Sequence, residues 1–248
     1  MLKVRIIPLL TFNGFALVKT KQFENPRMVG NPVQAARVYN SRGVDELIFL
    51  DIFATKQKRK INLKVVKDVL KECFMPVGVG GGIQTLNDIN DLLQIGADKV
   101  VIKSEAIKNP KFIKEASDFF GSQCISISVD VIKKNEKFLI HNDFNEQIDM
   151  LDFLHNMQNQ GAGEILLNSV QNDGMMSGFD LRLIQEGISS VTLPIVCIGG
   201  GGNVSHFENL FSKTKCEAVG ASSIFHFTQY TPLDIKLGLK ESGKKVRI

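Results

Sequence analysis

Pro76-Val77-Gly78-Val79-Gly80-Gly81-Gly82-Ile83 and Pro194-Ile195-Val196-Cys197-Ile198-Gly199-Gly200-Gly201-Gly202 are two copies of one pattern. Each runs from a proline through a short, mostly β-branched stretch into glycines, just ahead of a helical pattern. Glycine there lets backbone N–H groups close on an anion, while the helix behind presents its positive end. Pro76 maps onto Pro194, Gly81 onto Gly199 and Gly82 onto Gly200, each at a shift of 118 residues (194 − 76).

The shift extends further. Gly43–Ile48 faces Gly161–Leu166, and Ser104 faces Ser222. A repeat of this length implies two fused halves, about 1–120 and 121–248, inside one domain spanning 1–248. With a phosphate cradle in each half, the expected ligand is a small molecule carrying a phosphate at each end.

Strand patterns recur at Val4–Leu10, Glu46–Asp51, Pro76–Gly80, Lys99–Ile102, Cys124–Asp130, Glu164–Asn168, Pro194–Ile198 and Glu217–Ala221. Helical patterns separate most of them, at Asn31–Ser41, Asn62–Cys73, Thr85–Ile95, Asn109–Phe119, Asp149–Gln160, Asp180–Ser189 and His206–Phe211. Eight strands alternating with helices in 248 residues predict a (β/α)8 barrel. A doubly wound sheet is the competing architecture, but it does not explain the halving. Barrel chemistry sits at the C-terminal strand ends, so the glycine loops and Asp130 belong to the active face.

Two loops carry charge. Thr11–Gly30, with Lys19, Lys21 and Arg27, is expected to be a lid over an anion. Lys56-Gln57-Lys58-Arg59-Lys60 reads as a solvated loop rather than a substrate contact. Lys236–Ile248 is expected to be an amphipathic end helix with a basic, frayed tail.

Composition excludes several classes. A net charge of +4 suits an anionic small molecule and not a nucleic acid. The apolar run Ile6–Leu10 is too short for a membrane span or signal peptide, so a cytoplasmic location is expected. Cys73, Cys124, Cys197 and Cys216 form no CxxC pair and read as reduced. His141, His155, His206 and His226 lack metal-ligand spacing, and His226 lies in an aromatic run that reads as packing. No Ser-His-Asp, phosphate-loop or dinucleotide fingerprint is present, so neither cofactor nor metal is expected.

Charges also open the strands: Arg5 the first, Glu46 the second, Lys99 the fourth and Glu164 the sixth. Alternation points Arg5 the same way as Ile7 and Leu9, toward an interior normally layered with apolar side chains. Buried singly, each charge would cost several kcal/mol. Either they turn out to water or pair structurally, or they form a gated opening through the barrel floor.

Arg5-Ile6-Ile7-Pro8, Gly80–Ile83, Gly96-Ala97-Asp98-Lys99-Val100, Gly121-Ser122-Gln123, Gly161–Leu167 and Ile224-Phe225-His226-Phe227 resemble the cyclase subunit of imidazole glycerol phosphate synthase, essentially end to end. The resemblance implies a barrel that docks a glutaminase on its N-terminal face. Ammonia would pass through the barrel to a bisphosphorylated substrate. It also implies that Arg5, Glu46, Lys99 and Glu164 are the ammonia gate, and that Asp98 and Gln123 lie near the gate and the glutaminase interface. Ligand-binding positions implied by the match, together with the glycine cradles, are Lys19, Asp51, Gly81, Gly82, Lys103, Ser104, Asp173, Gly174, Gly199, Gly200, Ser222 and Ser223.

The chain departs from that family at the reacting centre. Two aspartates serve there as general acid and base; Asp130 matches one, but the other position is Thr11. A hydroxyl cannot exchange a proton near pH 7 as a carboxylate can. An Asn-Thr pair is replaced by Lys103-Ser104, and an Asp-Arg-Asp-Gly loop by Gln171-Asn172-Asp173-Gly174. A Gly-Lys-Lys-Asn-Thr-Gly loop is shortened to His141-Asn142-Asp143-Phe144-Asn145. These departures, with Leu17-Val18-Lys19-Thr20 and Phe23–Gly30, resemble a paralogue in acetamidino modification of surface sugars such as lipopolysaccharide or flagellar glycans. That resemblance implies an ammonia-supplying barrel with a glutaminase and an ATP-dependent sugar amidotransferase as partners. An active cyclase of histidine biosynthesis is the alternative, and a partnerless phosphosugar-binding scaffold is a third reading that the charged ring disfavours.

Overall fold

The computed structural model describes residues 3–144 and 146–248. Asn145, the last residue of the shortened loop, lies outside the described residues. The strands are β1 (Arg5–Phe12), β2 (Leu17–Lys21), β3 (Glu24–Gly30), β4 (Leu47–Asp51), β5 (Val77–Gly80), β6 (Lys99–Ile102), β7 (Ile125–Lys134), β8 (Lys137–Ile140), β9 (Glu164–Ser169), β10 (Ile195–Ile198) and β11 (Ala218–Ala221). Eight of them pair in parallel in the order β1-β4-β5-β6-β7-β9-β10-β11, and β11 returns to β1 to close the (β/α)8 barrel. No helix among the described residues is long and apolar enough to cross a membrane.

Strand alternation divides the core. Ile6, Leu10 and Phe12 face the helix layer, while Ile7, Leu9, Ile48, Val101, Leu166, Val196 and Ile198 fill the barrel interior. Polar residues start the main helices. Asn31, Asn62, Thr85, Asp149, Asp180, Asn203 and Thr231 each accept a backbone N–H of the first turn. Each such cap stabilises its helix by about 1 kcal/mol.

The glycine loops follow equivalent strands, β5 and β10, at the shift of 118 (195 − 77). Beyond them the second half runs one residue longer: β6 and β11 differ by 119 (218 − 99), as do the short helices Ser104–Lys108 and Ser223–Phe227. Ser104 is therefore equivalent to Ser223. Ser222 matches Lys103, with which it shares an unusual backbone conformation (φ −135°, ψ −65° against φ −124°, ψ −72°).

Three expectations need correction. The stretch Thr11–Gly30 is not an irregular loop but the end of β1 followed by the hairpin β2–β3, which turns on Gln22 and Phe23, both at positive φ. The end helix spans Pro232–Glu241, and the tail is pinned: Val246 bridges Val4, whose N–H donates to the Lys245 carbonyl at 2.8 Å. The basic run after β4 is partly anchored, with Arg59 on Asp51 and Lys60 on Asp88.

Candidate functional site

One alternation places both ends of the site. Arg5, Ile7, Leu9 and Thr11 share the interior face of β1; Lys99, Val101 and Lys103 share that of β6; Glu164, Leu166 and Asn168 share that of β9. Ser126, Ser128 and Asp130 do the same on β7. Charges at the strand starts thus form a floor, apolar side chains a middle layer, and polar groups a mouth.

The floor charges do not turn out to water. Arg5 Nη1 donates to Glu46 Oε2 and Arg5 Nη2 to Glu164 Oε1, both at 2.7 Å. Lys99 Nζ donates to Glu164 Oε2 at 2.7 Å and lies 2.7 Å from Glu46 Oε1, an ion pair outside hydrogen-bond geometry. Each carboxylate oxygen therefore faces one cation, and the ring closes on itself. Burial works against the charge on Glu164, but Lys99 and Arg5 outweigh it and hold its carboxyl below the ordinary value. Burial likewise opposes the charges on Arg5 and Lys99, yet the two glutamates leave both raised. Gly78 makes room for this arrangement, since a Cβ there would sit 3.2 Å from Lys99 Cγ.

At the mouth lies a cavity of about 630 Å³ lined by both glycine loops and by residues from both halves. Gly81, Gly82, Gly199 and Gly200 all have positive φ. At Gly200 (φ +114°) a Cβ would fall 2.0 Å from the Gly178 carbonyl oxygen, so no other residue fits. The hydroxyls of Ser222 and Ser223 beside this loop are buried and have no partner among the described residues. Ser104 lines the opposite cradle with Lys103. Unsatisfied buried hydroxyls are uncommon, and here they mark where a polar ligand atom fits.

Other expected ligand positions are held from the sides. Lys19 Nζ lies 2.9 Å from both carboxylate oxygens of Asp173, tying β2 to the loop after β9 beside Gly174. Asp51 receives Arg59 through two contacts of 2.5 and 2.9 Å. At the centre, Asp130 Oδ2 is 2.7 Å from Lys103 Nζ, and its Oδ1 accepts an N–H from Asn168 at 3.0 Å. Thr11 lines the same cavity, but its hydroxyl donates to the Val18 carbonyl of β2.

On the floor face, Asp98 is exposed, and its Oδ2 accepts the Val77 N–H at 2.7 Å. Gln123 is exposed in the short turn before β7. Two aromatic side chains missed in the sequence stand out on this face: Phe74 before β5 and Phe119 before β7 are 89% and 72% exposed. Phe74 stands between a helix end and a strand start, and Phe119 in the last turn of the helix Pro110–Phe120; those placements were the available signal. Phe23, Asn168 and His141 were also missed as lining groups. Phe23 lies across from Lys103 and packs against the His141 ring, 5.6 Å between centroids. Burial, then the nearby Lys103, lowers the His141 pKa.

Residues 5–231 match the family described as Histidine biosynthesis protein. The chain is 40% identical to the imidazole glycerol phosphate synthase subunit HisF of Clostridium botulinum (strain Okra / Type B1) over 253 aligned residues, covering all of both chains. It is 42% identical to the HisF subunit of Staphylococcus saprophyticus and 41% identical to that of Streptococcus mutans, again over the full length of both. These relatives overturn the expectation of a subunit for acetamidino sugar modification, with its sugar amidotransferase partner. The similarity is to histidine-biosynthesis cyclase subunits, the alternative raised from the sequence.

Proposed function

Since the chain belongs to the histidine-biosynthesis family that includes the HisF subunits, we propose that it is the cyclase-type subunit of an imidazole glycerol phosphate synthase. In this reading a glutaminase docks on the floor face, over Asp98, Gln123 and the exposed rings of Phe74 and Phe119. Aromatic side chains exposed on one face are enriched at protein interfaces and often anchor them. Ammonia released there enters through the ring of Arg5, Glu46, Lys99 and Glu164, crosses the apolar middle layer and reaches the mouth. The barrel acts as a single domain whose two halves each hold one phosphate of the acceptor.

The observation that carries this reading is the shared interior register: one alternation lines up a closed ring of charge at one end and Asp130 at the other. A scaffold that only bound a phosphosugar would have no use for buried charges at the opposite end. Asp130 is the candidate base, positioned to take a proton from the incoming nitrogen. The ligand contacts assigned to Lys19, Asp51, Gly81, Gly82, Lys103, Ser104, Asp173, Gly174, Gly199, Gly200, Ser222 and Ser223 belong to the same proposal.

The test supplies the purified chain with an ammonium salt and the bisphosphorylated ribonucleotide of histidine biosynthesis. Imidazole glycerol phosphate should form, and should form from glutamine once the glutaminase subunit is added. No product from either nitrogen source would remove the proposal.

A further inference from the structure

We propose that Lys103 is the proton donor that works opposite Asp130, the part that Thr11 cannot take. The inference rests on the cyclase reading above and deepens it. Thr11 has a hydroxyl in place of a carboxylate, and that hydroxyl is committed to Val18. Lys103 reaches the same centre from β6, on the interior face that also carries Lys99 at the floor. Its Nζ lies 2.7 Å from Asp130 Oδ2, while Asn168 occupies the other oxygen. The Phe23 ring, 5.7 Å from Nζ, covers the outer side. The other charged or titratable groups lining this cavity are His141 and Asp143 beyond β8, Lys56 beyond β4, Glu24 at the start of β3, Asp51 with its partner Arg59, and the Lys19–Asp173 pair.

A lysine against a carboxylate at the mouth of an ammonia path gives a proton circuit that closes. As ammonia adds to a carbonyl-class carbon of the phosphorylated acceptor, a C–N bond forms and the C=O π pair moves onto oxygen. That oxygen takes a proton from the Lys103 ammonium. The new nitrogen, now cationic, gives a proton to Asp130. The carboxylic acid so formed returns the proton to the Lys103 amine across their 2.7 Å contact. The protein neither gains nor loses a proton, and the pair is ready for the next cycle.

The experiment measures ammonia-dependent turnover of the bisphosphorylated ribonucleotide in wild type, Lys103→Met, Lys103→Arg and Lys103→Ala, with melting curves and far-UV circular dichroism as folding controls. Lys103→Met should lower kcat by about 10²-fold or more, the usual worth of a positioned acid. Lys103→Arg keeps the cation beside Asp130 but does not release its proton, so kcat should stay low while KM stays near that of wild type. Lys103→Ala should regain activity with added propylamine. Wild-type kcat in Lys103→Met, or full activity in Lys103→Arg, overturns the proposal and leaves the cyclase reading intact. A wild-type protein without turnover removes both. Should Lys103→Met fail to fold, the arginine variant and the amine rescue decide.

Discussion

Lys99 Nζ donates to Glu164 Oε2 at 2.7 Å, at the floor of the barrel and far from the glycine loops. The contact is one side of a closed ring, so its removal exposes what the ring does. In Lys99→Ala, Arg5 is the one cation of the ring left to Glu46 and Glu164; each retains one oxygen without a cation, and that of Glu164 keeps only the Ser126 hydroxyl at 3.4 Å. Breaking a buried pair from one side costs about 3–5 kcal/mol, and the remaining arginine places this case near the lower end. Urea unfolding should show that loss. In the assembled amidotransferase the same variant should consume more glutamine per product formed, because ammonia escapes at the floor. A lowered stability with an unchanged ratio would leave the ring as structure only.

The ring also sets a pH dependence. Glu164 is held below its ordinary value, so its contribution to stability is complete above the unfolded-state value of about 4.3 and is lost as pH falls through the lower folded-state value. Arg5 and Lys99 are raised, so their contributions are complete at neutral pH and are lost only as pH climbs through the raised values. The difference in unfolding free energy between wild type and Glu164→Gln should be flat from about pH 8 to pH 5 and shrink below about pH 4. A difference that already narrows between pH 8 and pH 6 would contradict this assignment.

The second cradle allows a test that separates binding from folding. Ser223 Oγ is buried without a partner among the described residues, and an unpaired buried hydroxyl costs about 1–3 kcal/mol. Ser223→Ala should therefore leave the melting temperature unchanged or raise it. The same change removes a donor to a bound anion, worth about 1.5 kcal/mol or roughly tenfold in affinity. Calorimetry with inorganic phosphate reads that loss. A lower melting temperature with unaltered phosphate affinity would make Ser223 a packing residue.

The barrel was legible because its signals are local. A β-branched run, a glycine or a polar cap at Asn31, Asn62 or Thr85, and the alternation that aims Arg5 inward all reside within a few residues of each other. The hairpins were not legible. Gln22-Phe23 and Asn135-Glu136 make tight turns at positive φ without the glycine that normally announces one. The polar strand Glu24–Gly30 is exposed along most of its length and shows no alternation. The mouth was half legible: Lys103 and Asp130 could each be named, but their contact joins residues on neighbouring strands, and only the barrel register brings them together. Acetamidino chemistry was inferred from substitutions at that mouth, whereas similarity over the whole chain points to the cyclase subunit.

The hairpin β2–β3 supplies the last prediction. It is held over the mouth by Lys19 on Asp173 and by Gln22, whose backbone N–H donates to the Asp173 carbonyl at 2.8 Å and whose side-chain amide donates to the Gln171 carbonyl. Asp173→Asn would leave the Lys19 ammonium, 5% exposed, without its countercharge. If the hairpin stayed closed, the full cost of an unpaired buried charge, about 3–5 kcal/mol, would fall on the whole protein. A two-stranded hairpin can instead lift away and return Lys19 to water, so the loss is limited to the free energy of that local opening. Asp173→Asn should therefore melt within a few degrees of wild type, yet exchange amide hydrogens faster and be cut by protease within residues 17–30. A bound bisphosphorylated ligand should restore protection, because its phosphate supplies the anion that Lys19 has lost. A large drop in melting temperature with unchanged protection of the hairpin would show instead that Lys19 and Asp173 hold the barrel together rather than its cover.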